Sequence, residues 1–203
     1  QDSSRGFLQS VASFVTSGDR PLDGESEGRI NVVVLGVGGE GHDGPELTDT
    51  IIFGSFDPST DRVGLMSIPR DLTIPMNEHG WRKINHANYF GELENPGNGA
   101  AYAARVIGDV LDQDVHYYVK VDFHGFEDFI DALGGVDVYV ESGFVDPAYP
   151  TDDYLTRTVR FEEGWQHMDG DTALVFARSR HGTNGEGSDF ARARRQQQVL
   201  LAL

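Results

Sequence analysis

The run INVVVLG, Ile30 to Gly36, constrains the chain more than any other stretch. It is short, almost wholly apolar, rich in β-branched residues and ended by glycine. A strand with one wet face alternates apolar and polar residues, so an unbroken apolar run predicts a strand covered on both faces. TIIFGSF (Thr50 to Phe56) and RVGLMSI (Arg62 to Ile68) read as two further strands, and the turn residues DPSTD between them predict a hairpin. After Ile68, two prolines break regular structure and predict a long loop. Asn98 to Gln113 is alanine-rich with apolar residues at helical spacing and predicts a helix. His116 to Phe123 then reads as a strand, Gly125 to Leu133 as a helix and Gly134 to Glu141 as a strand. A loop containing YPTDD precedes a short strand over Thr158 to Phe161. Asp169 to Arg180 reads as a helix, and Ser188 caps a last one, DFARARRQQQVLLAL. Strands interleaved with helices imply an α/β domain of two or three layers.

The 203 residues suffice for one domain with a sizeable core. Residues 1–29 read as an N-terminal juxtamembrane segment and linker, and 30–203 as the folded domain. Within the first part, GFLQSVASFV (Gly6 to Val15) is too short to span a bilayer and lacks the basic flank of a signal peptide. It reads either as a juxtamembrane helix or as a helix packed on the domain. TSGDRPLDGESEGR, Thr16 to Arg29, is polar and turn-rich, as a linker is. There are 33 acids against 16 bases, a formal charge of −17 at pH 7. That balance argues against nucleic acid as a partner, which needs a broad basic face. Cysteine is absent, so disulfides and thiolate metal sites are excluded.

Against that acidic background, Arg178 to Gln198 carries five of the 16 basic residues, Arg178, Arg180, Arg192, Arg194 and Arg195, with Glu186 and Asp189 its only acids. The planar guanidinium matches phosphate oxygens in a bidentate fork, so the segment reads as a holder of a phosphorylated ligand. On the last helix Asp189, Arg192, Arg195 and Gln196 share one face at i, i+3, i+6 and i+7. The plainer reading of Arg178 and Arg180 is a charge cap at a helix C-terminus. GVGGEG, Gly36 to Gly41, has the spacing of a dinucleotide loop, but HDGPELTD stands where that motif needs a helix. It reads instead as a loop that lets a ligand approach the backbone. Asp49 opens the next strand, with His42 and Asp43 shortly before it, a pattern suited to a hard cation such as Mg²⁺. In SIPRD, Ser67 to Asp71, a strand end delivers Arg70 and Asp71, and Lys83 adds a cation beyond.

Taken together, INVVVLG, LTDTII, VGLMSIPRD, KINHANYFGE, HYYVKVDFHGFEDFIDALGGVDV, MDGDTALVFARSRH and SDFARARRQQ occur in an order that resembles the LytR-CpsA-Psr family of cell-envelope phosphotransferases. The resemblance runs from about Arg29 to Leu203. It implies an α/β/α sandwich with a mixed central sheet and a hydrophobic pocket for a polyprenyl chain. It also implies an N-terminal membrane anchor and a place on the extracytoplasmic face of the bacterial membrane. The implied activity moves a glycopolymer from a polyprenyl-pyrophosphate carrier to peptidoglycan, with Mg²⁺ or Mn²⁺ as cofactor. By motif, Asp49 matches the family's metal-binding aspartate and Arg70 the arginine of IPRD. Arg178 and Arg180 match its RxR pair, Arg192 and Gln196 its RxxRQ motif, and Lys83 a lysine near the same site. These groups, with Arg195, would hold the pyrophosphate, and Asp71 is the candidate base for the acceptor hydroxyl. The chain departs from the pattern at Gly38, where the family often has a second metal aspartate; Asp43 and His42 are the candidates to replace it. Two rival readings keep the same residues: a hydrolase that releases lipid phosphate to water, and a non-catalytic polyprenyl-phosphate binding module.

Overall fold

A computed structural model describes residues 21–151 and 155–203. The Gly6 to Val15 stretch, the start of the linker and the end of the YPTDD loop lie outside these residues. The chain forms two compact units, one from Ser17 to Phe123 and the other including His124 to Leu203.

In the first unit, β1 (Ile30–Val37) pairs antiparallel with β2 (Thr48–Asp57), which pairs antiparallel with β3 (Arg62–Ser67). The expected hairpin is therefore present, and its turn is closed by Asp57, whose carboxylate accepts from the Ser59 amide at 3.0 Å. The segment beyond Ile68 is more regular than expected. It holds the short hairpin β4 (Thr73–Pro75) and β5 (Trp81–Lys83), then the helix α1 (His86–Glu94). After α2 (Gly99–Leu111), β6 (Tyr117–Val121) pairs parallel with β1. The sheet order is β3-β2-β1-β6, so the central sheet is mixed and the fold is α/β.

Val33, Leu35, Ile51 and Phe53 carry one face of this sheet into a core shared with Ala103 and Ile107 of α2. Each such side chain contributes about 1.5–3 kcal/mol by leaving water. α1 and α2 approach closely because Gly91 and Gly99 face each other: a Cβ on Gly91 would lie 2.6 Å from Tyr102 Cβ and 2.8 Å from Gly99 Cα. Part of the stretch read as linker is tied to this unit. It forms a 3-10 turn at Glu25–Glu27, and the Asp23 amide donates to the Tyr117 hydroxyl at 2.9 Å.

The second unit takes in α3 (Phe123–Ala132) from His124 onward. It holds β7 (Val136–Val140), β8 (Phe144–Pro150), β9 (Thr156–Phe161), β10 (Gly164–Met168), α4 (Gly170–Arg178) and α5 (Asp189–Ala202). β7 pairs with β10 and β8 with β9, both antiparallel, as separate two-stranded sheets. β7 alternates as a half-buried strand should, with Val136, Val138 and Val140 inward. The core gathers Phe144, Phe161 and Phe176, whose rings lie 5.1–6.1 Å apart. The Asp169 carboxylate caps α4 by accepting from the Thr172 amide at 2.9 Å, and Ser188 caps α5 in the same way from Ala191 at 3.1 Å. Gly170 lets α4 press on α3, since a Cβ there would lie 2.4 Å from the Glu127 carbonyl oxygen.

Ile107 is 1% exposed in the first core. Its replacement by alanine is expected to lower stability by about 2–5 kcal/mol, the range for truncating a buried aliphatic side chain. Urea unfolding followed by circular dichroism measures this.

Candidate functional site

The expected site residues fall into two groups, one in each unit. In the first unit the structure brings together Asp49, Arg70, Asp71 and Lys83. The Arg70 guanidinium pairs with the Asp49 carboxylate. Its Nε lies 3.7 Å from Asp71 Oδ2, and Lys83 Nζ pairs with the other Asp71 oxygen. The four groups thus form an alternating row of two acids and two bases.

Local backbone geometry explains the row. β3 ends at Ser67, Pro69 turns the chain, and the Leu72 amide donates back to the Pro69 carbonyl at 3.0 Å. That turn sets Arg70 and Asp71 side by side. The β4–β5 hairpin, with Thr73 opposite Lys83, then returns the lysine to Asp71. The Asn85 carbonyl accepts from the Thr48 amide at 3.2 Å and so fixes the start of β2, where Asp49 stands. Side-chain exposure is 47% at Asp49 and 26% at Arg70, so the row is open to solvent and to a ligand. Arg70 Nε is buried and finds no hydrogen-bond acceptor.

The glycine-rich loop before Asp49 is anchored rather than loose. Lys120 pairs with Glu46 at 3.1 Å and with Glu92 of α1 at 3.0 Å, and Asn88 Nδ2 donates to the Glu46 carbonyl at 2.8 Å. Gly39 has φ +81°, and a Cβ there would lie 2.8 Å from Asp122 Cβ. At Gly38 a side chain would press on His42, whose Cβ is 2.9 Å from the position of the missing Cβ. The His42 ring packs edge-on to Phe123 at 4.9 Å. Asp43 lies exposed on the loop. Among the described residues no three His, Asp or Glu side chains converge to hold a metal ion, so Asp49, Asp43 and His42 do not form a protein-only cage. The half-exposed Asp49 carboxylate nevertheless fits a hard cation of the Mg²⁺ type, which accepts one or two carboxylates and completes its shell with water and phosphate oxygens.

In the second unit the arginines divide into two kinds. Arg180 and Arg192 both reach Asp189 Oδ1, at 3.5 and 3.1 Å. Arg178 Nη1 donates to the Tyr149 hydroxyl at 3.4 Å, and its guanidinium lies 5.8 Å from that ring's centroid. Gln196 Nε2 donates to the Ala177 carbonyl at 3.4 Å, which ties α5 to α4 just before Arg178. Arg194, at the half-exposed edge, pairs with Glu186 and lies 3.7 Å from Glu141.

Arg195 requires a correction. The expectation that it helps to hold pyrophosphate does not fit its surroundings, because it is 1% exposed and its donors are spent internally. Nε donates to the Phe176 carbonyl at 2.9 Å, and Nη2 donates to the Ser179 carbonyl. Nη1 donates to the Glu186 carbonyl at 2.9 Å and to Glu186 Oε2 at 2.7 Å. The guanidinium also lies 4.8 Å from the Phe144 ring centroid. Burial pushes its pKa down, and the Glu186 carboxylate counters that pull. Arg195 is a structural cation that binds α4, the loop after it and α5 together.

Two residues that the sequence reading passed over complete the surroundings of Arg178 and Arg180. Asp146, on β8, is fully buried. Its Oδ2 accepts from the Ser179 hydroxyl and from the Arg180 and His181 amides, both at 3.1 Å, and its Oδ1 accepts from the Ala148 amide at 2.9 Å. Burial raises its pKa, but these four donors outweigh burial and hold the carboxyl below the usual carboxylate range. Tyr149, three residues on, is 4% exposed. Burial pushes its phenol up, against the pull of Arg178 and of Arg157, whose guanidinium lies 5.4 Å from the ring centroid. The only sequence signal for this strand was an acid set among apolar residues beside a proline, VDPAYP.

The sequence profile of the LytR_cpsA_psr family matches residues 8–203. The chain belongs to this family. It is 33% identical over 174 residues to the polyisoprenyl-teichoic acid--peptidoglycan teichoic acid transferase TagU of Oceanobacillus iheyensis, over 85% of this chain and 50% of that protein. The chain spans about half the length of the curated relatives it matches. The crystal structure of B. subtilis TagV superposes with a TM-score of 0.65 at 28% identity, over 86% of this chain and 63% of the other. A structure of TagT bound to LI-WTA gives 0.66 at 26% identity, over 93% and 67%. In this LytR_cpsA_psr chain the IPRD, RxR and RxxRQ motifs therefore divide by burial. Arg70, Arg180 and Arg192 pair with exposed carboxylates, Arg178 reaches the hydroxyl of the buried Tyr149, and Arg195 is locked in the core.

Two outcomes follow from that division. Arg195→Ala removes the donor of Glu186 Oε2 and of three buried backbone carbonyls, leaving Arg194 on Oε1, and is expected to lower stability by about 3–5 kcal/mol. Arg180→Ala breaks an exposed pair and is expected to change it by less than about 1 kcal/mol. Chemical unfolding of the two variants side by side checks the contrast, and equal losses would remove the structural role given to Arg195. The second outcome concerns pH. Because the folded-state pKa of Asp146 is depressed, its ionised carboxylate stabilises the fold above the ordinary aspartate range, about pH 4. That contribution is lost as pH falls through the depressed value. The melting temperature of Asp146→Asn is therefore expected to lie below that of the parent at neutral pH, and the gap to close progressively below about pH 4.

Proposed function

We propose that the domain is a phosphotransferase that moves a glycopolymer from a polyprenyl-pyrophosphate carrier to peptidoglycan in assembly of the bacterial cell wall. Membership of the LytR_cpsA_psr family supports this, as do the relatives named for transferring teichoic acid from a polyisoprenyl carrier to peptidoglycan and TagT, whose structure holds LI-WTA. The observation that carries the proposal on this chain is the open row Asp49, Arg70, Asp71 and Lys83. Cations held only by exposed carboxylates can exchange those partners for phosphate oxygens at little cost. In the second unit, Arg178, Arg180 and Arg192 carry guanidinium groups whose shape also suits phosphate oxygens.

In the proposed reaction an acceptor sugar hydroxyl attacks the phosphorus nearer the glycopolymer. A new oxygen–phosphorus bond forms, the bond from that phosphorus to the bridging oxygen breaks, and polyprenyl phosphate leaves. Asp71 takes the hydroxyl proton. Arg70 and Lys83 neutralise the charge that grows on the phosphate oxygens. A Mg²⁺ ion held by Asp49 would supply further neutralisation there. A hydrophobic pocket for the prenyl chain belongs to the same proposal, since each buried CH₂ is worth about 0.8 kcal/mol. So do a membrane anchor and an extracytoplasmic location. Among the described residues no helix is long and apolar enough to cross a membrane.

The test is mass spectrometry of reactions with a prenyl-pyrophosphate-linked sugar and a peptidoglycan acceptor, with and without Mg²⁺. Metal-dependent release of prenyl phosphate with labelled acceptor is expected. Arg178→Ala should reduce turnover by about 10²- to 10³-fold, and Asp49→Ala should remove the response to Mg²⁺. Release to water alone would make the domain a hydrolase. Binding of the intact lipid without release would make it a binding module.

A further inference from the structure

The RxR pair sits where helix gives way to loop: Arg178 is the last helical residue and Arg180 lies beyond the helix. α4 ends at Arg178, and Ser179 leaves helical geometry with ψ 134°. Amides that follow the last helical turn, here those of Arg180 and His181, need acceptors outside the helix. Here one carboxylate supplies them. β8 is bulged between Asp146 and Tyr149, and the Ala148 amide donates back to Asp146 Oδ1 at 2.9 Å. A bulge re-aims the side chain that it carries. In this case Asp146 turns fully inward, and its Oδ2 takes the Ser179 hydroxyl and the amides of Arg180 and His181. Beyond the bulge, Tyr149 receives Arg178 Nη1 on its hydroxyl at 3.4 Å. The same ring lies near Arg157, its neighbour across the β8–β9 pair. From behind, Arg195 takes the Ser179 carbonyl. The backbone of the RxR segment is therefore held by buried groups, while the Arg180 side chain is exposed and Arg178 is half-buried against Tyr149.

We infer that Asp146 and Tyr149 are positioning residues for Arg178 and Arg180: one bulged strand fixes both arginines for a diphosphate ligand, Asp146 through the backbone and Tyr149 through the Arg178 side chain. This rests on the reading of those arginines as pyrophosphate ligands. Pre-set geometry matters because a fork of guanidinium donors that is ordered before binding loses less conformational freedom when it closes on phosphate. The negative overall charge sharpens the demand, since long-range attraction contributes nothing to capture of an anion.

The experiment uses inorganic pyrophosphate as the probe. Its affinity is measured by calorimetry for the parent chain, Asp146→Asn, Ser179→Ala, Tyr149→Phe, the double variant Arg178→Ala/Arg180→Ala, and that double variant combined with Asp146→Asn. Amide resonances of Arg180 and His181 are followed by NMR in parallel, with Val138 and Val175 as core references. Ser179→Ala and Tyr149→Phe each remove one hydroxyl and serve where Asp146→Asn does not fold. Asp146→Asn is expected to weaken binding roughly tenfold to hundredfold, and Tyr149→Phe roughly tenfold or less. Asp146→Asn should add nothing in the background that lacks both arginines, because its effect passes through them. The Arg180 and His181 amides should shift and lose protection while the core references stay put.

A folded Asp146→Asn with parental affinity, beside a double arginine variant that no longer binds, would overturn the positioning role and leave the pyrophosphate reading intact. An Asp146→Asn effect of equal size with and without the arginines would also overturn it. Parental affinity in the double arginine variant would instead remove the pyrophosphate reading, and the inference with it.

Discussion

A guanidinium cannot be buried unless its donors are met, and the second unit is built around meeting that demand for Arg195. Its acceptors are the carbonyls of Phe176, Ser179 and Glu186 and the Glu186 carboxylate. Those acceptors come from the end of α4, the loop after it and the approach to α5. Satisfying one side chain therefore fixes three pieces of chain at once. The loop between the helices is rich in glycine and would otherwise wander. Held by Arg195 on one side and Asp146 on the other, it presents Arg178 and Arg180 in one arrangement. A buried ion pair is poor evidence for net stability, but here it defines which backbone conformation the segment adopts.

Much of the fold was legible because it follows from period and punctuation. The apolar run of β1, the hairpin across DPSTD, the alanine-rich α2 and the Ser188 cap all have local causes, and all are present. The elements that were missed have weak local signals. β4 and β5 have three residues each, with Pro69 before β4 and Pro75 at its end, and α1 follows directly in a stretch read as loop. β8 contains two prolines and a bulge, so its propensity argues against a strand. What forms it is tertiary: Phe144 and Tyr149 enter the core, and Asp146 is needed by the segment after α4. No window of sequence around β8 contains that information.

The site was legible in its residue types and not in their division of labour. On a helical wheel Arg192 and Arg195 are neighbours and look interchangeable. The structure separates them by depth, with Arg192 tied to Asp189 near the surface and Arg195 enclosed by carbonyls and the Phe144 ring. The deciding residue is Glu186, which looked like a stray acid in a basic stretch and is the buried counter-ion of Arg195. Asp146 was invisible for the same reason. A carboxylate that works by accepting backbone amides leaves no motif, because its partners are amides that every residue has.

The row in the first unit has the opposite character, and the contrast bears on function. Asp49, Arg70, Asp71 and Lys83 carry two negative and two positive charges, so the row has no net charge of its own. Each pair is partly or largely open to water, where an ion pair contributes about 0–1 kcal/mol. Such pairs hold the side chains in place without holding them strongly. A ligand with phosphate oxygens can take Arg70 and Lys83, and the carboxylates that it displaces are then left to a cation or a proton. Under the proposed function Asp49 would take a cation and Asp71 a proton. Neutrality at rest also suits a chain with formal charge −17, because a site that was cationic in isolation would be filled by its own surrounding carboxylates.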